Sequence, residues 1–252
     1  MKGIVTSVCL LWNLPAILSQ TASGFEGIQA KFCSWECMKF TLMWPGTYCV
    51  SLKKLKCSIP ANVKGWTIHG LWPMIHNENC CDCWPIFRSD LDVLEPQLSM
   101  LWPTLIQNKS SFSFWQEEWR RHGACAGCVE GMNSPTKYFQ TALKLRGNFD
   151  VDRALQTAGV FPSCNVSYNY NQLYSTLRPI VGDVLTIQCV QDHKGRQVWV
   201  QLKITMTKTF TLGCNKLQAS EDSQEPPGHP CPRTEPIFYF PIHRENPAEP
   251  CK

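Results

Sequence analysis

Four side chains whose types could together serve proton transfer beside a charged group lie close together in one segment. Spaced i, i+4, i+7 and i+8, they are Phe114, Glu118, Arg121 and His122. On an α-helix this spacing puts them on one face, which presents an aromatic ring, a carboxyl group, a fixed cation and an imidazole. Such a face can move a proton, balance growing negative charge and stack on a planar ring. A solvated helix with an incidental histidine has the same spacing, so the pattern alone leaves both interpretations open.

The segment around these residues carries the signals of a helix. Ser113, followed three residues later by Gln116, is typical of a capping box at a helix start. Gly123 is typical of a helix end and predicts that the helix covers residues 113–122. An adjoining face is apolar and is predicted to lie in the core; it carries Trp115 and Trp119.

A second histidine lies at the end of an alternating segment. Residues 65–69 alternate apolar and polar side chains, as a half-buried strand does, and His69 falls on the polar face. Gly70 follows directly and is expected to let the chain change direction sharply. The sequence therefore predicts that a strand positions His69 and a helix positions His122.

Two further helices are predicted after this segment. One covers residues 135–146, with Ser134 as its cap and Gly147 as its stop, and the other covers residues 151–158 and ends at Gly159.

Strands dominate the remainder of the chain. Apolar and alternating patterns predict them over residues 184–190, 198–206 and 237–240. Helices and strands that occur in separate runs favour a single α+β domain. We expect a central antiparallel sheet with helices packed on it and several disulfides.

The start of the chain resembles a secretory leader. Lys2 precedes a short apolar run over residues 4–18, and small residues follow at 22–24. This order predicts a signal peptide over residues 1–24 and a mature domain over residues 25–252. The apolar run is too short to span a bilayer, and the sequence offers no longer one, so no membrane association is expected.

Cysteine usage points to an oxidising compartment. The chain has 15 cysteines, and all but Cys9 follow the predicted leader. So many cysteines favour disulfides rather than thiols. Glycosylation sequons begin at Asn108 and Asn165 and fit the same route. We expect a secreted or extracellular protein, or one that resides in the lysosome or another endomembrane lumen.

Composition bounds the function only loosely. Hydrophobic residues make up 44% and charged residues 17% of the 252 positions, which is typical of a globular domain. The formal net charge of +4 falls to +3 when Lys2 is removed with the leader. This charge is too small to indicate a nucleic-acid partner by itself.

Two strings decide between the interpretations of the helix face. Residues 66–73 read WTIHGLWP and residues 114–125 read FWQEEWRRHGAC. Together with WPGTYC at residues 44–49, they resemble the active-site segments of the ribonuclease T2 family. The similarity covers residues 35–241, and beyond Tyr138 it is a similarity of pattern rather than of motif.

The resemblance assigns a role to each residue of the two strings. It implies that His122 is the general base and His69 the general acid of an endoribonuclease, with Glu118 and Arg121 stabilising the transition state. The implied substrate is single-stranded RNA, which would be cut to 2′,3′-cyclic phosphate and 5′-hydroxyl ends, with slow hydrolysis of the cyclic ester afterwards. Neither a metal nor any other cofactor is implied, and we expect a monomer.

Substrate contacts are implied at three further positions. Trp72 matches a ring that stacks on the base 5′ to the cut, and Phe114 matches an aromatic residue of a second base site. Glu117 occupies a position that is usually a histidine in contact with phosphate. We expect Glu117 to form an i,i+4 ion pair with Arg121, which would stabilise the helix by only about 0.3–0.5 kcal/mol.

The chain departs from the family pattern at three places. Arg121 replaces the usual lysine, which keeps the charge but changes the geometry at phosphate. Glu117 replaces the histidine, and Met74 stands where many members have an acidic residue, so base preference does not transfer.

The resemblance also implies several disulfides. They join Cys49 to Cys57, Cys189 to Cys231, and one residue of the loop cluster to Cys125. The cluster consists of Cys80, Cys81 and Cys83. Thr205 occupies the position of the usual partner of Cys214, which leaves the pairing of Cys214 open. The pairing is open as well for Cys33, Cys37, Cys83, Cys128, Cys164 and Cys251.

Two alternatives compete with the enzymatic reading. A zinc site could be built from Cys80, Cys81, Cys83, Cys125 and Cys128, although an oxidising compartment disfavours it. The stronger rival is a secreted RNA-binding or signalling protein that has the same fold and reduced or lost catalysis, motivated by Glu117.

Overall fold

A computed structural model describes residues 34–52, 55–75, 80, 83–214 and 227–252 of the chain. The predicted signal peptide, Cys33, His76 and Cys81 lie outside the described residues.

A mixed seven-stranded sheet forms the centre of the structure. Its order is β2-β1-β5-β4-β6, while β7 pairs with both β5 and β3. The strands are β1 (Cys37–Met43), β2 (Thr67–Pro73), β3 (Ser167–Tyr168), β4 (Leu185–Gln191), β5 (Gln197–Thr207), β6 (His229–Pro230) and β7 (Ile237–Phe238).

The sheet is antiparallel except at one pairing. The expected central antiparallel sheet is confirmed by the pairings of β1, β2, β4, β5 and β6, and β7 adds one parallel pairing to β5. The chain reaches β7 through a long connection rather than a hairpin, and such a connection permits either direction. The predicted strands 184–190 and 198–206 are β4 and β5 with small shifts of their ends, and strand 237–240 is shortened to β7.

Helices cover the sheet and complete an α+β domain, as expected. They are α1 (Pro45–Ser51), α2 (Glu95–Leu101), α3 (Ser111–Glu118), α4 (Pro135–Asn148), α5 (Val151–Thr157) and α6 (Tyr170–Val181). One large apolar core joins helices to sheet, and its fully buried aromatic side chains include Trp66, Trp102, Trp115, Trp119, Tyr138 and Phe139. The predicted burial of Trp115 and Trp119 is confirmed. None of the described helices has the length and apolar character that a membrane span requires.

The ends of α4 and α5 agree with the predicted caps and stops in two of three cases. Ser134 caps α4 by accepting a hydrogen bond from the Lys137 N–H, as predicted. Gly147 does not stop the helix, which continues to Asn148, because this glycine does not take the left-handed conformation that ends helices. Gly159, with φ of +72°, does take it and ends α5 as predicted.

The start of α3 differs from the prediction. Ser110, not Ser113, is the cap, because the Ser110 hydroxyl accepts a hydrogen bond from the Ser113 N–H at 3.0 Å. The Gln116 side chain donates to the Ile86 carbonyl instead of closing a capping box. A serine three residues upstream therefore starts the helix earlier than the sequence pattern indicates.

Five disulfides join described residues. Three agree with the family resemblance: Cys49–Cys57, Cys189–Cys231 and Cys80–Cys125. Two resolve pairings that the sequence left open: Cys37–Cys214 and Cys164–Cys251. Because Cys80 and Cys125 bond each other, the zinc alternative loses two of its proposed ligands.

Candidate active site

A β-bulge positions His69. Along the pairing of β1 with β2, Thr41 faces Gly70 and Leu42 faces Ile68, which leaves His69 as the extra residue on β2. A bulge of this kind re-aims a side chain, and bulges are common beside active sites. The strand then continues to Pro73. The expected sharp turn at Gly70 is therefore absent.

Gly70 has a different purpose in the structure. A Cβ atom at this position would overlap the Trp72 Nε1 atom and the Glu118 carboxylate. The missing side chain therefore lets α3 approach β2 closely enough for Trp72 and Glu118 to meet.

Groups from β5, from α1 and from the residue that follows α2 contact His69. The Gln201 amide of β5 contacts its Nδ1 atom, and Trp102 Nε1 donates a hydrogen bond to its carbonyl oxygen at 2.9 Å. The ring of Tyr48 in α1 meets the imidazole edge-on, with 6.0 Å between ring centroids. Backbone and ring of His69 are thus both held in place.

A π-helical turn positions the second histidine. Residues Trp119–Gly123 continue α3 with a wider turn, in which the Ala124 N–H donates to the Trp119 carbonyl five residues earlier. The helix then resumes over Ala124–Ala126, so the predicted end at Gly123 is wrong. A side chain at Gly123 would overlap the Trp119 ring, so this glycine serves close packing. Single π turns are frequent at functional sites.

Trp72 contacts both histidines and the acidic residue. Its ring centroid lies 5.1 Å from that of His69 and 5.4 Å from that of His122. Its indole N–H donates to Glu118 Oε2 at 2.8 Å. Only 9% of Trp72 is exposed. The indole therefore fixes the spacing of the two imidazoles and the orientation of the carboxyl group.

Burial changes the protonation of the two titratable groups on the helix. It raises the pKa of Glu118 from 4.5 to about 8, although the Trp72 hydrogen bond and the Arg121 charge act in the opposite direction. It lowers the pKa of His122 well below its ordinary value, and the Arg121 charge adds to this effect. At mildly acid pH, Glu118 is accordingly protonated and His122 is neutral.

Glu117 has a different partner from the expected one. Its carboxylate pairs with Lys109 Nζ at 2.7 Å rather than with Arg121. The π turn begins directly after Glu118 and changes the i,i+4 geometry that the prediction assumed. Lys109 also lies 5.7 Å from the centre of the Phe114 ring, and that ring lies 6.2 Å from the His69 ring.

The structure thus brings most of the sequence-predicted residues into one cluster. Ring contacts, the Trp72 hydrogen bond and the electrostatic influence of Arg121 connect His69, Trp72, Phe114, Glu118, Arg121 and His122. Glu117 lies at the edge of this cluster with Lys109. The sequence reasoning did not assign four neighbours to the site: Tyr48, Trp102, Lys109 and Gln201. Only Tyr48 had a signal, since it belongs to the WPGTYC string.

Metal ligands are not grouped in the described part of the chain. No set of three or more His, Cys, Asp or Glu side chains there could hold an ion. The side chains of the cluster themselves can transfer protons and stabilise charge.

Comparison with known families gives this cluster its context. A profile of the ribonuclease T2 family matches residues 35–215. Ribonuclease Oy of Magallana gigas is 35% identical over 220 residues, which cover 84% of this chain and 99% of that protein. Human ribonuclease T2 is 31% identical over 204 residues, covering 80% of this chain and 75% of that protein.

Solved structures agree with the sequence comparison. The crystal structure of human RNase T2 superposes with a TM-score of 0.68 at 30% identity, covering 82% of this chain and 99% of that one. RNase NT in complex with 5′-AMP also gives a TM-score of 0.68, at 25% identity, with coverage of 82% and 98%. The fold and the site define an α+β protein of the nuclease type, and the chain belongs to the ribonuclease T2 family.

Proposed function

We propose that the chain is a metal-independent endoribonuclease that cleaves single-stranded RNA by transphosphorylation. One observation carries the proposal: two imidazoles from different elements contact one indole, which also orients a buried carboxyl group. Two imidazoles in one site can supply the base and the acid that this reaction needs.

The reaction balances with groups present in the site and the substrate. His122 takes the proton of the ribose 2′-hydroxyl, and the 2′-oxygen attacks phosphorus. The bond from phosphorus to the 5′-oxygen breaks, and His69 donates a proton to that oxygen. The products are a 2′,3′-cyclic phosphate and a 5′-hydroxyl, and water opens the cyclic ester in a slower second step.

The environment of His122 supports its role as the base. A base must be unprotonated when the substrate binds, and burial with the neighbouring Arg121 charge lowers the pKa of His122. The imidazole is therefore neutral across mildly acid pH, where an ordinary histidine is largely charged.

Glu118 and Arg121 support the transition state in different ways. With a pKa of about 8, Glu118 is a neutral acid below that pH and can donate a hydrogen bond to a phosphorane oxygen. Arg121 is exposed and permanently charged, so it can meet negative charge on the same group.

RNA contacts are proposed at the rim of the cluster. Phe114 is partly exposed and offers a ring for a base, whereas Trp72 is nearly covered. We therefore assign the orientation of Glu118 to Trp72 before any stacking role. Asn108 and Asn165 are exposed, which fits their proposed glycosylation in a secreted or lysosomal monomer that loses residues 1–24.

The alternative is RNA binding with weak catalysis, and the carboxylate of Glu117 near the site favours it. Pairing with Lys109 offsets that negative charge and weakens this argument. Incubation of the purified protein with RNA from pH 4 to 8, with and without EDTA, distinguishes the two. The proposal expects cleavage that EDTA does not reduce, while RNA retention without cleavage would support the alternative.

A further inference from the structure

Gln201 on β5 carries an inference that deepens the proposed function and rests on it. Its side chain is fully buried on the face of the sheet beside the bulge, and its amide contacts His69 Nδ1. This contact leaves Nε2 as the imidazole nitrogen that is available to a substrate. Which nitrogen of a histidine carries a proton is set by the hydrogen bond that the other nitrogen makes.

The two ends of a carboxamide have nearly the same shape, so the hydrogen-bond network decides which end faces the imidazole. With the amide nitrogen against Nδ1, Gln201 Oε1 is buried and has no hydrogen-bond partner. Buried polar atoms in native proteins are nearly always paired. With the amide reversed, Oε1 accepts a hydrogen bond from Nδ1–H.

The proposed reaction decides between the two orientations. A histidine that acts as a general acid carries a proton on both ring nitrogens, so its Nδ1–H needs a hydrogen-bond acceptor. The amide nitrogen of Gln201 can only donate, whereas its amide oxygen can accept, and the amide contacts Nδ1.

We propose that Gln201 is a positioning residue that accepts the Nδ1–H of His69 through its amide oxygen and so keeps the exchangeable proton on Nε2. The same hydrogen bond exists before and after proton transfer, because only the Nε2 proton leaves. A neutral acceptor at this place orients the His69 ring. A carboxylate would also hold the ring in its positively charged form. Among the other titratable groups, Tyr48 of α1 meets the ring directly. Glu118 and His122 contact Trp72, which in turn contacts the ring, and the buried Lys203 lies two residues from Gln201 on β5.

Nitrogen-15 NMR of His69 in the intact protein tests this directly. We expect neutral His69 to be the Nδ1–H tautomer. A predominant Nε2–H tautomer would overturn the proposal without reference to any activity.

Two variants separate positioning from packing. Gln201→Glu keeps an acceptor and adds a charge, so it should retain the tautomer and raise the pKa of His69 by roughly 1–3 units. The alkaline limb of the kcat/KM profile should move in the same direction. Gln201→Met removes the acceptor; we expect mixed tautomers and a roughly tenfold or larger fall in kcat with little change in KM.

Gln197→Met is the matched control, because Gln197 is also buried on β5 but bonds Glu235 and His229 instead. Its His69 spectrum should equal that of the parent. Unchanged His69 tautomer and pKa in both Gln201 variants would refute the positioning role. If the pKa of His69 rises in Gln201→Glu while the activity profile stays fixed, the positioning role stands and the assignment of His69 as general acid fails.

Discussion

The two histidines are held by opposite kinds of structure. His69 lies on a bulged strand in the centre of a sheet, and neighbouring strands and helices contact its ring and its backbone. His122 lies in a π turn of a helix, where burial and the charge of Arg121 dominate its environment. The strand site controls orientation by hydrogen bonds, whereas the helix site controls protonation by burial. In the proposed mechanism, these different surroundings let one residue type serve as both the acid and the base.

Removing either imidazole should have the largest effect. His69→Ala and His122→Ala should each lower turnover by about 10²–10⁴-fold, the usual contribution of a positioned acid or base. Steady-state kinetics on RNA measures this, with His193→Ala as an exposed control that should behave as the parent does. A folded His122→Ala protein with near-parental turnover would contradict the assignment.

The Cys80–Cys125 disulfide joins the two regions and should affect both stability and rate. Cys125 follows the π turn and Cys80 follows β2, so loss of the bond removes one of the links between the histidine-bearing elements. Replacing both residues by serine should reduce the free energy of unfolding by about 2–4 kcal/mol and also lower kcat.

The control removes Cys164–Cys251, which joins two residues outside the histidine-bearing elements. Its loss should reduce stability with little change in kcat at a temperature where the protein stays folded. Equal losses of kcat in both double variants would show that the Cys80–Cys125 link has no special relation to the site.

Glu118 makes stability depend on pH. Its pKa is raised in the folded state to about 8, so the native protein prefers the protonated form more strongly than the unfolded chain does. The contribution is fully present below pH 4.5, and stability should fall as the pH rises from there to 8. Denaturant unfolding at pH 5 and 8 should show this fall in the parent and a smaller one in Glu118→Gln. An identical pH dependence in both proteins would contradict a raised pKa.

Breaking the Lys109–Glu117 ion pair should have the smallest effect on activity. Glu117→His removes a carboxylate from the rim and releases Lys109, so kcat/KM on RNA should rise roughly two- to fivefold, as expected for an exposed pair. The gain should be larger at pH 5 than at pH 7, because the new histidine is then charged. Activity at or below that of the parent at pH 5 would show that Glu117 does not hinder the reaction.

Residue types and local spacing explain why much of the site could be predicted. The helix face with Glu118 and His122, and the buried face with Trp115, follow from a periodicity that a helix imposes on neighbouring residues. The strands β4 and β5 have alternating apolar residues and were predicted nearly to their ends. The mixed sheet was not predicted, because the direction of β7 depends on the whole chain.

Long-range pairing determines the features that the sequence did not reveal. The bulge at His69 exists only relative to the register of β1, and Gln201 reaches His69 from 132 residues away. The π turn is a local feature, but it removed the expected pairing of Glu117 with Arg121 and left Lys109 as the partner. Patterns along the chain led to the proposed reacting groups, while the groups that orient them became visible only in the fold.

The central claim is that the 2′-hydroxyl of RNA is the nucleophile and that His122 activates it. An oligonucleotide of deoxyribonucleotides with one internal ribonucleotide, incubated in EDTA at pH 5, tests this most directly. We expect one cut, directly 3′ to the ribose, and a 2′,3′-cyclic phosphate that is absent with His122→Ala. Cleavage of the fully deoxy oligonucleotide at a similar rate, or loss of activity in EDTA, would contradict it.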